Sequence, residues 1–250
     1  MRKRHFTLPA TALTGLALLA VTGCSALTGG DDTSEDGFND ITSEVAGWDM
    51  CEVLPIEPIK DQVKSDAYVH EPSHVGLGSA MNSEAISCSG VVQITHNDGS
   101  TDSIEVLLSV FPGNSAEHVD DMWELRQGGF YEDVVETNSY GLTSADLYLD
   151  KDIEGEWGQG HAYAIFGDQG ELAGTTGQLI VDVRTENYLV EVNLDLPTDP
   201  DKTFAARHGL DQAEIDSRTS LLFDRAAFAD WVADEHIHTM FEAVTSKLNS

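Results

Sequence analysis

Hydrophobic and polar residues alternate in two stretches near the middle of the chain. Ile86, Cys88, Val92 and Ile94 are separated by polar or small neighbours, and after "NDGSTD" the same holds for Ile104, Val106, Leu108 and Val110. A period of two around a turn-forming segment predicts a hairpin of residues 86–96 and 103–111, with Cys88 pointing inward. The spacing then becomes helical: Asn114 or Ser115 caps a helix through about Arg126, with Val119, Met122, Trp123 and Leu125 on its apolar side. Alternation returns at Leu147 and Leu149, in "HAYAIFG", at Leu179, Val181 and Val183, and at Tyr188, Val190, Val192 and Leu194, the last two runs joined by "RTEN".

About six such strands predict an α+β fold, an antiparallel sheet covered on one face by helices. "LPIEPIKDQV" supplies one helix. The longest runs from about Leu221, with Leu222, Phe223, Ala226, Ala233, Ile237, Met240, Phe241, Val244 and Leu248 as one stripe. At 100° per residue, Phe228, Trp231 and Val232 fall on the other side of this cylinder. Either the loops before the helix bury them, or they form a patch for partner contact with Trp231 as anchor.

The N-terminus reads differently. Arg2, Lys3 and Arg4 precede the apolar run "FTLPATALTGLALLAV", the layout of a secretory signal and too short for a spanning helix. The run ends in "VTGC", which resembles a bacterial lipobox. That resemblance implies cleavage after residue 23, a lipid on Cys24, and an acyl anchor on the outer face of the cytoplasmic membrane. "KRHF" leaves open whether export is general or twin-arginine. Residues 24–46 are rich in Gly, Ser, Thr and acids, cannot bury enough surface to fold, and are expected to form a flexible tether. The expected organisation is therefore signal 1–23, tether 24–46 and one extracellular domain 47–250.

Charge narrows the partners. Removing Arg2, Lys3 and Arg4, three positive charges, takes the formal net charge from −31 to −34. Nucleic acid and anionic lipid are poor partners for such a body, so membrane attachment falls to the N-terminal lipid. Once Cys24 is set aside, Cys51 and Cys88 remain as an even pair in an oxidising compartment, which predicts a disulfide. Closing a loop of about 38 residues is worth roughly 4 kcal/mol in the chain-entropy model.

Three polar constellations carry candidate chemistry. "HEPSH" places His70, Glu71 and His74 in the H-E-x-x-H pattern of zinc proteases, which works only on a helix where both histidines share a face. Pro72 opposes that helix, so a polar loop is expected and zinc-dependent hydrolysis is the alternative reading. "DKDIEGEWGQGH" begins like a calcium loop with Asp150, Asp152 and Glu154, but its twelfth position is His161 in place of the bidentate Glu. Trp157 on this loop is a candidate contact residue. In "DEHIH", His236 and His238 lie about 200° apart on a helix and cannot share an ion, so both are expected in solvent.

The lipobox, the acidic tether, "WDMC" opening the body, "CSG" on the first long strand and a closing Ala-rich helix together resemble the uncharacterised cell-surface lipoproteins of actinobacteria. In that family Trp often stands two residues after the second cysteine, and Gly90 occupies the position here. The resemblance implies location and fold more than function. With no G-x-S-x-G, P-loop or dinucleotide fingerprint after the signal, the expected function is a non-enzymatic, cofactor-free module that binds an envelope protein, polymer or small ligand at the cell surface.

Overall fold

Three short helices open the body: α1 (Thr42–Val45), α2 (Met50–Val53) and α3 (Glu57–Gln62). The computed structural model describes residues 38, 40–79, 83–130, 147–166, 177–197, 199, 201, 208–211, 213–214 and 219–250. The expected signal, Cys24 and most of the expected tether lie outside these residues. Ile41 and Val45 are 3% and 0% exposed, so the packed body begins before the boundary at residue 47 that composition suggests. A polar stretch hides two core side chains that a composition window averages away.

The strands are β1 (Tyr68–Val75), β2 (Ile86–Thr95), β3 (Thr101–Pro112), β4 (Leu147–Asp152), β5 (Gln159–Ile165), β6 (Gly177–Arg184) and β7 (Tyr188–Leu196). They form one seven-stranded sheet in the order β1-β2-β3-β7-β6-β5-β4, with every neighbour antiparallel. The chain makes one meander, crosses by way of α4 (Ala116–Phe130), and makes a second meander whose last strand pairs with β3. Sheet class, both hairpins and the helices follow the hydrophobic pattern.

The additional strand is β1, in the stretch expected as a loop. Pro72 is tolerated there because β1 is an edge strand, where a missing N–H need not break a ladder. The register also slips between Tyr68 and His70 and between His70 and Ser73, which blunts the edge against further pairing. At Gly90 of β2, a Cβ would lie 2.9 Å from Ile56 Cδ1 and 3.3 Å from Pro72 Cα. The space beside position 90 is taken by buried Ile56 and by the close approach of β1, which leaves room for glycine.

The main core lies on one face. Ile104, Val106, Leu108 and Val110 of β3 and Val190, Val192, Leu194 and Leu196 of β7 pack with α2, α3 and the C-terminal helix. The Cys51–Cys88 disulfide ties α2 to β2 on this side.

The C-terminal helix comprises α5 (Arg225–Trp231), a π-helical turn (Val232–His236) and α6 (Ile237–Leu248). Asp224 caps it by accepting from Ala226 N and Ala227 N at 2.8 and 3.1 Å. Its buried positions are Arg225, Phe228, Ala229, Val232, Ala233, His236, Ile237, Met240, Phe241 and Val244, a repeat of four residues. In an ideal α-helix such a repeat drifts by about 40° per step, and the wider π turn absorbs part of the drift.

This corrects the partner-contact reading. Phe228 and Val232 are 2% and 0% exposed, while half-buried Trp231 stacks on Phe228 at 5.9 Å and on His236 at 4.8 Å. Leu222, placed in the stripe, precedes the helix and is exposed. His236 is buried, not solvated. Its pKa is pushed down to about 4 by burial, and Nε2 has no hydrogen-bond partner.

α4 packs on the opposite face. A small cluster of Ala85, Phe111, Val119, Met122 and Leu189, with Trp123 against it, holds the helix there, while Leu125 is 74% exposed. Elsewhere that face mixes polar residues with Val91, Leu107, Ile180 and the buried Tyr163 and Ile165.

Candidate functional site

The H-E-x-x-H residues are not brought together for zinc. His70 pairs with Val91 and His74 with Cys88, positions of opposite parity and hence opposite faces of β2. His74 Nδ1 instead accepts from Met50 N at 3.3 Å, while His70 and Glu71 are exposed. The calcium-like stretch also closes on itself. Asp150 and Asp152 belong to β4, and their Oδ1 atoms lie 3.0 and 2.8 Å from Nε2 and Nδ1 of His161, leaving Glu154 exposed beyond the strand. Among the described residues no group of three or more His, Cys, Asp or Glu side chains is placed to share a metal ion. Trp157 is buried at 8% exposure, with Nε1 donating to Ile153 O at 3.2 Å, so it belongs to the core while also lining a cleft beside α4.

What the topology does bring together is a row of polar residues running directly across the sheet. Ser87 opposes Ser109, Ser109 opposes Glu191, Glu191 opposes Asp182, Asp182 opposes His161, and His161 opposes Asp152. All lie on the α4 face. Ser87 and Ser109 share a buried hydrogen bond at 2.9 Å. The row contains the residue types of a hydrolytic triad in the wrong order for one, since Ser109 and His161 are three strand spacings apart, about 14 Å.

At its centre two carboxylates face each other with one cation. Asp182 and Glu191 are each 3% exposed, and Arg126 of α4 reaches down to both, contacting Glu191 and lying 3.7 Å from Asp182 Oδ1. The guanidinium also sits 3.9 Å over the Phe111 ring. Burial pushes Asp182 up to about 6, outweighing the opposing pull of Arg126 and His161. Asp182 Oδ1 receives no hydrogen bond.

Beside the first turns of α4 the same face opens into a cleft of about 850 Å³, lined by polar groups of three segments. Asp120 comes from α4, Glu156 and Gln159 from the β4–β5 connection and the start of β5, and Arg184, Glu186 and Asn187 from β6 and its turn. Arg184 is fixed at the centre: Nε donates to Gln159 Oε1 at 2.7 Å, Nη1 contacts Asp120, and the guanidinium lies 5.7 Å from the Trp123 ring. A hollow of about 280 Å³ at Lys64 and Arg225 is more completely satisfied from within. There Lys64 Nζ donates to Leu222 O, Arg225 to Pro197 O, and Asp199 accepts from Ser220 N and Oγ.

No family model matches the chain, and neither a curated protein nor a solved structure matches it. Pattern reading missed Arg126, Asp182, Glu191 and Arg184. The local pattern misplaces this pair: equidistance from "RTEN" would set Asp182 opposite Leu189, whereas the register, centred between Glu186 and Asn187, sets it opposite Glu191.

Proposed function

We infer that the protein is a lipid-anchored binding module of the cell envelope, and that its ligand, an envelope protein, polymer or small molecule, docks in the cleft around Arg184. The observation that carries this reading is the convergence of planar hydrogen-bonding side chains, Asp120, Gln159 and Arg184, in a cleft of about 850 Å³. Its size falls within the range of roughly 300–1,000 Å³ that ligand pockets occupy. Arg184 and Gln159 are preorganised by each other, so less side-chain freedom is lost on binding. The −31 formal charge of the chain favours a neutral or cationic partner over an anionic one. Strand geometry at His70 and His74 gives the zinc hydrolase reading no support.

The anchor and the cleft are tested separately. Replacing Cys24 by Ser is expected to release the full-length protein from membranes into detergent-free extract, because the acyl chains then have no attachment point. Unchanged membrane partition of this variant refutes the anchor. The released protein then serves for binding to solubilised envelope fractions. Glu156→Ala combined with Gln159→Ala is expected to weaken capture at least about tenfold, equivalent to about 1.4 kcal/mol, with an unchanged melting temperature. Equal capture by wild type and the double variant would remove the cleft as the site.

A further inference from the structure

We propose that Arg126, Asp182 and Glu191 form a proton-dependent latch that holds α4 against the sheet and thereby sets the width of the cleft whose wall α4 supplies. The effect on ligand binding rests on the function proposed above, while the latch stands on its own geometry.

The apolar contact beneath α4 is small. Among the described residues Val119 and Met122 are its buried apolar side chains, meeting Ala85, Phe111 and Leu189, with Trp123 half-buried. Ionic ties add to it among the described residues: Arg184 of β6 reaches up to Asp120, and Arg126 reaches down to the opposed carboxylates. A helix held in this way responds to the charge beneath it.

The charge balance changes by one with a single proton. With one proton on the Asp182–Glu191 pair, Arg126 faces one negative charge and the cluster is neutral. With none, two carboxylates oppose each other on adjacent strands, nearly dry, against one guanidinium. Like charges directly opposed across a sheet are destabilising, and Asp182 Oδ1 has no hydrogen-bond donor to compensate. The other charged groups facing the cluster are Glu84, which acts on Arg126, and His161, which acts on Asp182 from β5. His161 is itself bracketed by Asp150 and Asp152.

The sign follows from linkage. Burial raises the Asp182 carboxyl above its unfolded value, to about 6, so the stabilisation from its proton is complete below about 3.8 and is lost as pH rises through about 6. The latch is thus closed in mild acid and loosened above neutrality. His236 imposes the opposite slope on global stability. Its pKa is lowered to about 4, so stability falls as pH drops from about 6.5 through about 4. Whole-protein melting therefore mixes two trends, and the readout must be local.

The experiment is amide hydrogen exchange of the full-length Cys24→Ser protein, with protection factors for residues 119–127 corrected for intrinsic rates at pH 5.0 and 7.5. Protection of these α4 amides is expected to fall at the higher pH by about 10-fold, because pH 5.0 lies about one unit below the value near 6 through which Asp182 loses its proton. Amides of β3 and β7 are expected to change far less. Asp182→Asn keeps the shape but carries no charge, so it is expected to hold α4 protection at its pH 5.0 level throughout. Arg126→Met is expected to lower α4 protection at both pH values. Equal α4 protection at pH 5.0 and 7.5 in the wild type, or a pH-dependent loss that persists in Asp182→Asn, overturns the latch. Because no ligand is present, the cleft can fail its own binding test while the latch passes this one, and the reverse.

Discussion

Replacing Trp157 by Ala is expected to cost about 3 to 5 kcal/mol of unfolding free energy, the range for deleting a large buried aromatic side chain. The indole is held by aromatic, backbone and glycine contacts. His238 lies against it at 4.5 Å and Phe241 meets it edge-on at 5.4 Å. Its Nε1 is satisfied by Ile153 O, so nothing pulls the ring toward solvent. Two glycines complete the socket, since a Cβ at Gly155 would come within 2.4 Å of the ring and one at Gly160 within 2.6 Å of Nε1. Gly155→Ala should consequently destabilise too, by roughly 1 to 3 kcal/mol of overpacking, although it adds only a methyl group. Urea titration with a far-UV signal measures both. If Trp157→Ala shifted the unfolding free energy by less than about 1 kcal/mol, the indole would be no part of the core, and its reading as a surface contact would return.

Trp157 also shows which links of the argument the sequence carries. Its neighbours in the chain, "EGEWGQG", are acidic or glycine and describe a loop, yet the residues that bury it, His238 and Phe241, are some eighty positions away. Local pattern reports local structure, which is why the two long hairpins, α4 and the C-terminal helix were legible. It does not report which loop folds over which helix.

The C-terminal helix departs from ideal α geometry at Val232–His236. The 100° rule placed Phe228 and Val232 outside because it assumes an unbroken α-helix, whereas the four-residue repeat and π turn rotate them inward. A test for a period of four along Arg225–Val244 recovers the correct face. Pro72 argued against a helix and led to the expectation of a loop, but an edge strand with register slips accommodates it. The polar row was the least legible feature. Each member sits at an unremarkable polar position of its own strand, and only the pairing of six strands aligns Ser87, Ser109, Glu191, Asp182, His161 and Asp152.

Breaking the Cys51–Cys88 cross-link is expected to have an effect of the same size. The bond closes 37 positions of chain, for which the chain-entropy model gives roughly 4 kcal/mol. The enclosed segment carries core side chains that depend on it: Leu54, Ile56 and Ile59 are buried, and α1 and α2 precede or flank the bond. The choice of variant matters because the two cysteines are not equivalent. Cys51 is half-buried, whereas Cys88 is 0% exposed within the main core. Cys51→Ala removes the bond and leaves Cys88 as a thiol, which packs as a small hydrophobe, so its cost is the cross-link itself. Cys88→Ser adds a buried hydroxyl and is expected to cost more than the bond alone. With a urea dependence of about 2 to 3 kcal/mol per molar, Cys51→Ala should move the unfolding midpoint down by about 1 to 2 M. Wild type measured with reductant should match it. A midpoint that stays in place under both treatments would mean that the segment from α2 to β2 is held by packing alone and that the cross-link removes no loop entropy from the unfolded chain.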